Sequence, residues 1–598
     1  MARLELFTGL AISLILAAST ASAAIIEHSL HVRIWPPLHI FLAGASGSSR
    51  NYSRSLFQVQ NLTVRRLCHP RVITAVNGSL PGPTIRVSEG DTLVVHVFNK
   101  SPYNLTIHWH GIFQLLSAWA DGPSSITQCP IPPGSSYTYR FTITGQEGTL
   151  WWHAHVSWLR ASVYGALIIH PKKGHLGYPF PKPYKEVPLI LGEWWNANVV
   201  DVEDQALALG VPPNISDAFT INGQPGDLYP CSRKHTYKLK VRPGKTYLLR
   251  MINAALNNQL FFKIADHKLK VVAVDASYTN PYVTDVIVLS PGQTADVLLT
   301  ADQIPGSYYM AGRNYFNAEN VPLPFDNTTT TGILLYKGTA SLPGTTPKMP
   351  LLPAFNDTPT AHKFSSSLTS LVGAPHWIPV PAEVDEKMFM TISLGLSPCG
   401  GRATCQGPNG LRFSASMNNV SFQAPTGRSL LEAAFFGLKG FFTTDFPDTP
   451  PLAFDYTNRS LAQSPLGFVL KGTRVKKLKY NATVEIVLQN TAFIGVENHP
   501  MHLHGFNFHV LAQGFGNFNP ANDRKKFNFV NPVIRNTIGV PVGGWAVIRF
   551  QANNPGVWMF HCHLDVHLPW GLATVFVVED GPTPSSTLPP PPADLPKC

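Results

Sequence analysis

The sequence predicts an all-β chain of three consecutive, similar units, and three observations carry that prediction. Of 598 residues only 14% are charged, while 46 Gly and 53 Pro supply turns, a composition that favours strands over long helices. A turn followed by an alternating strand that ends in Asn recurs: Val87–Asn99 aligns with Val241–Asn253 and, more loosely, with Leu478–Asn490. A Gly leading into an aromatic-rich strand also recurs, at Gly148–Trp152, Gly306–Met310 and Gly556–Phe560. A chain this long exceeds a single hydrophobic core, so repetition of a strand-rich unit is the natural reading.

In chain order, Met1–Ala23 carries Arg3, the apolar run Leu10–Ala18 and Ala21-Ser22-Ala23, the pattern of a secretory signal peptide. The run is too short to span a bilayer, and no later stretch offers a membrane anchor. Residues 24–58 read as an atypical insert. Within it, Arg33–Ser55 holds Pro36-Pro37, an apolar Leu38–Ala43 and a Gly/Ser run, and Ser29–Val32 resembles Ser55–Val59 as though one strand entry occurred twice. A retained intron or gene-model artefact accounts for the duplication, and disorder is expected there. The units are placed at 59–172, 186–342 and 384–598, divided by the Pro- and Gly-rich Lys172–Lys185 and by a linker, 343–383. The Pro-rich Pro582–Pro596 reads as an extended tail.

Eleven Asn-x-Ser/Thr sequons, from Asn51 to Asn481, point to a glycosylated surface and hence to export. Cysteine usage fits the same compartment. Cys68, Cys129, Cys231, Cys399, Cys405 and Cys598 can form three disulfides, which leaves Cys562 as the one thiolate. The net charge of +11 belongs to a chain that reads as exported, so an acidic extracellular polymer fits better than nucleic acid as a partner, solubility alone being a sufficient account.

The chemistry concentrates at His561-Cys562-His563, continued through Asp565 to His567. Alternate residues of a strand face opposite ways, so His561 and His563 serve one side and Cys562 the other. A thiolate with imidazoles suits an electron-transferring copper, and paired imidazoles hold further metal. Three more His-x-His pairs stand at His108/His110, His153/His155 and His502/His504, the last preceded by His499. Eight imidazoles thus serve one cluster, and His499, Cys562 and His567 remain for a separate site. The repeat distributes them. Nine residues past the repeat Asn stand His108, Phe262 and His499, and directly after the aromatic strand stand His153, Ala311 and His561. The middle unit therefore lacks ligands, and the cluster must lie where the first and third units meet.

On these residues the chain resembles the plant laccases of the multicopper oxidase family, from about Val59 to Cys598. The resemblance implies three cupredoxin-like Greek-key β-barrel domains and four copper ions. His499, Cys562 and His567 would hold the type 1 copper, His108 and His502 the type 2, and His110, His153, His155, His504, His561 and His563 the coupled type 3 pair. It also implies the disulfides Cys68–Cys231 and Cys129–Cys598, with Cys399 and Cys405 closing a local loop. Asp121 and Asp565 match acidic positions of the family that supply protons, although either could instead be a turn aspartate or orient a histidine. Leu572, five residues after His567, occupies the axial position where ascorbate oxidases carry Met; lacking a lone pair, it favours Cu(I) and raises the potential.

The implied activity is one-electron oxidation of phenols such as monolignols or flavonoids, with dioxygen reduced to water, by a secreted monomer of the apoplast or cell wall. An ascorbate oxidase or a ferroxidase would use the same coppers, the latter needing acidic residues near His499 and His567. A copper-free wall module would need none of the eleven ligand positions, all of which are intact.

Overall fold

The computed structural model describes residues 54–172, 177–316, 324–338, 346–400, 405–463, 467–492, 494 and 497–598, together with the backbone of 25–27. The expected signal peptide and most of the expected insert lie outside the described residues.

Six sheets make three two-sheet units. In each unit the repeat strand that ends in Asn lies between a parallel and an antiparallel neighbour. Thr92–Asn99 sits between Arg54–Arg66 and Ser136–Thr142, Thr246–Asn253 between Lys185–Trp194 and Thr294–Thr300, and Thr483–Asn490 between Glu386–Ser397 and Gly544–Gln551. The aromatic-rich strand is central to the facing sheet. Gly148–Ala154 pairs with Ile107–His110 and Tyr164–His170, Ser307–Tyr315 with Gln259–Ile264 and Thr329–Tyr336, and Gly556–Cys562 with His499–Leu503 and Ala573–Val578. The predicted repeat is thus a repeat of topology, the cupredoxin-like arrangement that the resemblance implies.

The terminal Asn of the repeat does the same work three times. Asn99 Nδ2 donates to the carbonyls of Tyr103 and Ile131, Asn253 Nδ2 to Asn258 and Leu289, and Asn490 Nδ2 to Glu497 and Pro541. Each amide ends the strand and ties two loop carbonyls to it, each such hydrogen bond contributing about 0.5–1.5 kcal/mol. Asn99 also heads a sequon, and its buried, committed amide is closed to a glycan in the folded chain.

Alternation divides the strands as their parity demands. Trp109 and Trp152 are opposed across the ladder and fully buried in the core of the first unit. Truncating either indole to Ala would cost about 3–5 kcal/mol. Their neighbours His108 and His153 face the other way, toward the third unit. The disulfides Cys68–Cys231 and Cys129–Cys598 tie the first unit to the second and third, and Cys399–Cys405 closes the local loop. All three match the expected pairing.

At the edge of the first unit the backbone of Ile25–Glu27 runs parallel to Thr92–Val94, and Arg54–Val59 runs parallel to Val94–Asn99. Glu27 and Arg54 both stand opposite Val94, so the two segments are successive pieces of one strand position.

Candidate metal centre

The register of the strands assembles the site. Met501 is opposite Cys562 and His502 is opposite His561, so His499, Met501 and Cys562 share one face while His502, His504, His561 and His563 share the other. In the first unit His108 is opposite His153, which puts His108, His110, His153 and His155 on one face. The two four-histidine faces meet, and all eight imidazoles are buried.

Within that contact three all-histidine groups among the described residues could each hold a metal ion: His108 with His110 and His502, His110 with His153 and His563, and His155 with His504 and His561; His108 and His504 also converge with Asp121. A fourth group, His499, Cys562 and His567, stands on the opposite face, with Cys562 Sγ 3.6 Å from His499 Nδ1 and 3.5 Å from His567 Nδ1. Every histidine and the cysteine singled out in the sequence is in one of these groups.

The rings are held by one nitrogen and bare at the other. Nδ1 of His108, His153, His502 and His561 donates to the carbonyls of Asp121, Ala154, Asn536 and Cys562 respectively, at 2.7–2.9 Å. Nε2 of His108, His153 and His502 has no protein partner. His504 Nδ1 donates to Asp121 Oδ2 at 2.9 Å, and its Nε2 faces His561 Nε2 at 3.1 Å. With both Nδ1 atoms protonated, two acceptor lone pairs oppose each other there, an arrangement that repels unless a cation lies between. This is the pattern of imidazoles oriented to ligate metal. Burial and the neighbouring imidazoles also hold His110, His153, His155, His502, His504 and His563 well below the ordinary histidine range, so they are neutral and ready to coordinate. His499 is pushed down to about 3 by burial and by His567. Burial raises the Cys562 thiol, so metal must displace a proton to bind there. The soft thiolate with two imidazoles fits copper, and the all-imidazole groups fit it equally.

The two aspartates differ. Asp121 is fully buried beside the cluster, its carbonyl on His108 and its carboxylate on His504, so it orients two histidines at once. Gly122 after it has φ +97°, and a Cβ there would lie 1.9 Å from the Ile107 carbonyl, which enforces the tight turn beneath His108. Asp565 pairs with Arg160 at 3.1 Å and is pushed up to about 6 by burial, against the pull of that guanidinium. Leu572 is fully buried in the same core as Cys562, its carbonyl accepting from the Cys562 amide and its own amide donating to His567.

Sequence reasoning missed several residues. Glu497 Oε1 stands 3.1 Å from His567 Nε2, with a quarter of its side chain exposed, and is the acidic neighbour that could not be located without a fold. Burial opposes its ionisation, yet His567 and His499 leave its carboxyl below the ordinary range. Its place two residues before His499, on the same strand parity, was the available signal. Arg160, whose Nη2 reaches the carbonyls of Ala255, Leu256 and His563, and Thr537, whose Oγ1 reaches His110 and His502, belong to no motif.

Family profiles described as multicopper oxidase match residues 58–174, 185–339 and 445–582. The chain is 63% identical to Laccase-7 of Arabidopsis thaliana over 94% of this chain and 98% of that one. It is 56% identical to Laccase-3 of Oryza sativa subsp. japonica over 91% and 95%. Among solved structures it resembles the laccase of Botrytis aclada (TM-score 0.68, 27% identity, covering 90% of this chain and 88% of that one). It also resembles Fet3p, a multicopper oxidase that functions in iron import (TM-score 0.68, 25% identity, covering 88% and 90%). With ligand geometry, repeat topology and kinship in agreement, the chain belongs to the multicopper oxidase family, on the branch of the plant laccases.

Proposed function

We propose that this chain is a laccase that takes single electrons from phenols and reduces dioxygen to water. The observation that carries the reading is the back-to-back placement of the Cys562 group and the eight-histidine cluster on one strand. Four coppers fit the donor set: one at His499, Cys562 and His567, one at His108 and His502, and a coupled pair at His110, His153 and His563 and at His155, His504 and His561. Copper held by these residues would supply one-electron acceptance and the four electrons that reduction of dioxygen to water requires.

The protein's part is placement, exclusion of water and proton handling. Cys562 and its neighbours His561 and His563 form the covalent path between sites on the order of 10 Å apart. Glu497, partly exposed beside the buried His567, accepts a hydrogen bond from the hydroxyl of an arriving phenol. Asp121 at the His108/His504 side and Asp565 behind His563 hold protons for oxygen reduction. Leu572 contributes no lone pair, which keeps the potential high enough for phenols such as monolignols or flavonoids. Export to the apoplast, a monomeric state and association of the +11 chain with acidic wall polymers complete the proposal.

The test is the absorption spectrum of the copper-loaded protein, followed by oxygen uptake with a methoxyphenol, ascorbate and ferrous iron. An intense visible thiolate–copper band with uptake driven by the phenol supports the reading. The same band with uptake driven only by ascorbate or iron would overturn the choice of donor.

A further inference from the structure

Among the described residues the middle unit adds to none of the histidine and cysteine groups, yet three of its segments bear on the cluster: one on His110 and His563, one through Arg160 on His563, and one through residues 535–537 on His110 and the adjoining His502. The first is the turn Ser290–Gln293. Gly292 has φ +92°, and a Cβ there would lie 3.0 Å from His110 Cε1 and 3.1 Å from His563 Cγ. One imidazole belongs to the first unit and the other to the third. The turn is fixed from behind: Gly292 N donates to Asn253 O at 3.0 Å, and Gln293 Nε2 donates to Thr537 O at 2.9 Å.

The second segment is the buried Asp275. Its carboxylate receives Arg535 Nε at 3.1 Å and the amides of Asn536 and Thr537 at 3.3 and 3.4 Å. The stretch so gripped is the one whose Asn536 carbonyl orients His502 and whose Thr537 hydroxyl stands 3.1 Å from both His110 Nε2 and His502 Nδ1. The third is the pair of carbonyls of Ala255 and Leu256, which fix Arg160 Nη2 while the same nitrogen donates to His563 O at 2.9 Å. By contrast His504, in the other triad, is oriented by Asp121 of the first unit.

We infer that the middle unit is the positioning scaffold for one half of the coupled copper pair, the half held by His110, His153 and His563, and that Gly292 sets the spacing between the ligands of the two outer units. The other half, held by His155, His504 and His561, takes its support from Asp121. Gly292, Asp275 and Arg160 are positioning residues that act through histidines. The inference rests on the copper assignment above, and loading of the unaltered chain with copper tests that assignment separately.

The experiment compares the copper-loaded wild type with Gly292→Ala, reading copper per chain, the visible thiolate–copper band and the electron paramagnetic resonance spectrum. A methyl group on a left-handed backbone, wedged between two imidazoles, is expected to remove about one copper equivalent, or to uncouple the pair so that a new copper signal appears, with the visible band retained. Asp275→Asn, nearly isosteric, is expected to give a weaker form of the same signature and decides the question if Gly292→Ala does not fold. A full copper complement with a silent pair in a folded Gly292→Ala chain would overturn the inference. So would equal loss of copper from all sites, which a merely structural role would produce.

Discussion

The two faces of the strand Gly556–Cys562 carry sites assembled in opposite ways. The Cys562 site draws its three ligands from the single stretch His499–His567, within one unit and largely within one sheet. The histidine cluster takes four imidazoles from the first unit and four from the third, and the unit between them, which gives none, braces the contact through Gly292 and Asp275. A site inside one unit survives whatever keeps that unit folded. A site between units also needs the closure of the units on each other, so its geometry depends on residues far from any ligand.

The largest effect is expected at the ligand that serves electron entry. Cys562→Ser should abolish the visible band and reduce phenol-driven oxygen uptake to background, while copper in the histidine cluster remains measurable. Loss of the cluster copper as well would break the contrast between the faces. Asp121→Asn should do the reverse. The visible band stays and still bleaches with a phenol, while oxygen reduction slows by roughly 10²-fold, because the amide still accepts from His504 but carries neither the charge nor the proton of the proposed donor. Single-turnover reoxidation followed at the visible band separates the two steps.

Removal of a tie between units comes next. Cys598→Ser opens the disulfide to Cys129 and should lower stability by about 2–4 kcal/mol in denaturant titration, with copper lost from the cluster before the Cys562 site. Equal loss from both would show that closure matters no more to one face than to the other.

A pH-dependent term lies at the cluster's margin. Glu203 accepts from the Ser157 hydroxyl and the Trp158 amide, and burial pushes its carboxyl up to about 7, with Asp565 adding to the rise. A carboxyl whose folded pKa is raised gives stability that is present below the unfolded pKa and lost as pH rises through the folded one. Wild type should therefore weaken between about pH 4.5 and 7. Glu203→Gln, which keeps an acceptor for both donors, should gain up to about 3 kcal/mol above pH 7 and nothing below pH 4.5. Melting temperatures across that range check it, and a pH-independent difference would refute the assignment.

The smallest effect is expected at the edge of the first unit. Removing residues 28–54 joins Glu27 to Ser55, whose partners Val94 and Val95 are adjacent, so the strand position becomes continuous. Stability should change by less than about 0.5 kcal/mol and both copper sites should load normally. A destabilised or copper-poor product would show that the intervening residues matter to the fold.

Much of the site was legible because its chemistry sits in short alternating runs. In His108-Trp109-His110 or His561-Cys562-His563 the period of two already sorts metal-facing residues from core-facing ones. The repeat was legible for a similar reason: the strand ending in Asn99, Asn253 or Asn490 encodes both its pairing and its loop closure locally. Asp565 was found by its place between ligands, whereas its partner Arg160 was not, since a first-unit guanidinium that reaches into both other units carries no local pattern.

By itself, then, the sequence determined the all-β class, the threefold repeat, the candidate ligands and their division between two faces, because alternation and turn chemistry act over a few residues. The tertiary structure alone decided how the six cluster histidines other than His108 and His502 divide into two triads, that Glu497 caps His567 and that Asp121 reaches His504, and that the middle unit packs Gly292 against His110 and His563. These depend on the angles at which whole units close on one another, set by disulfides, buried ion pairs and packing between residues hundreds of positions apart.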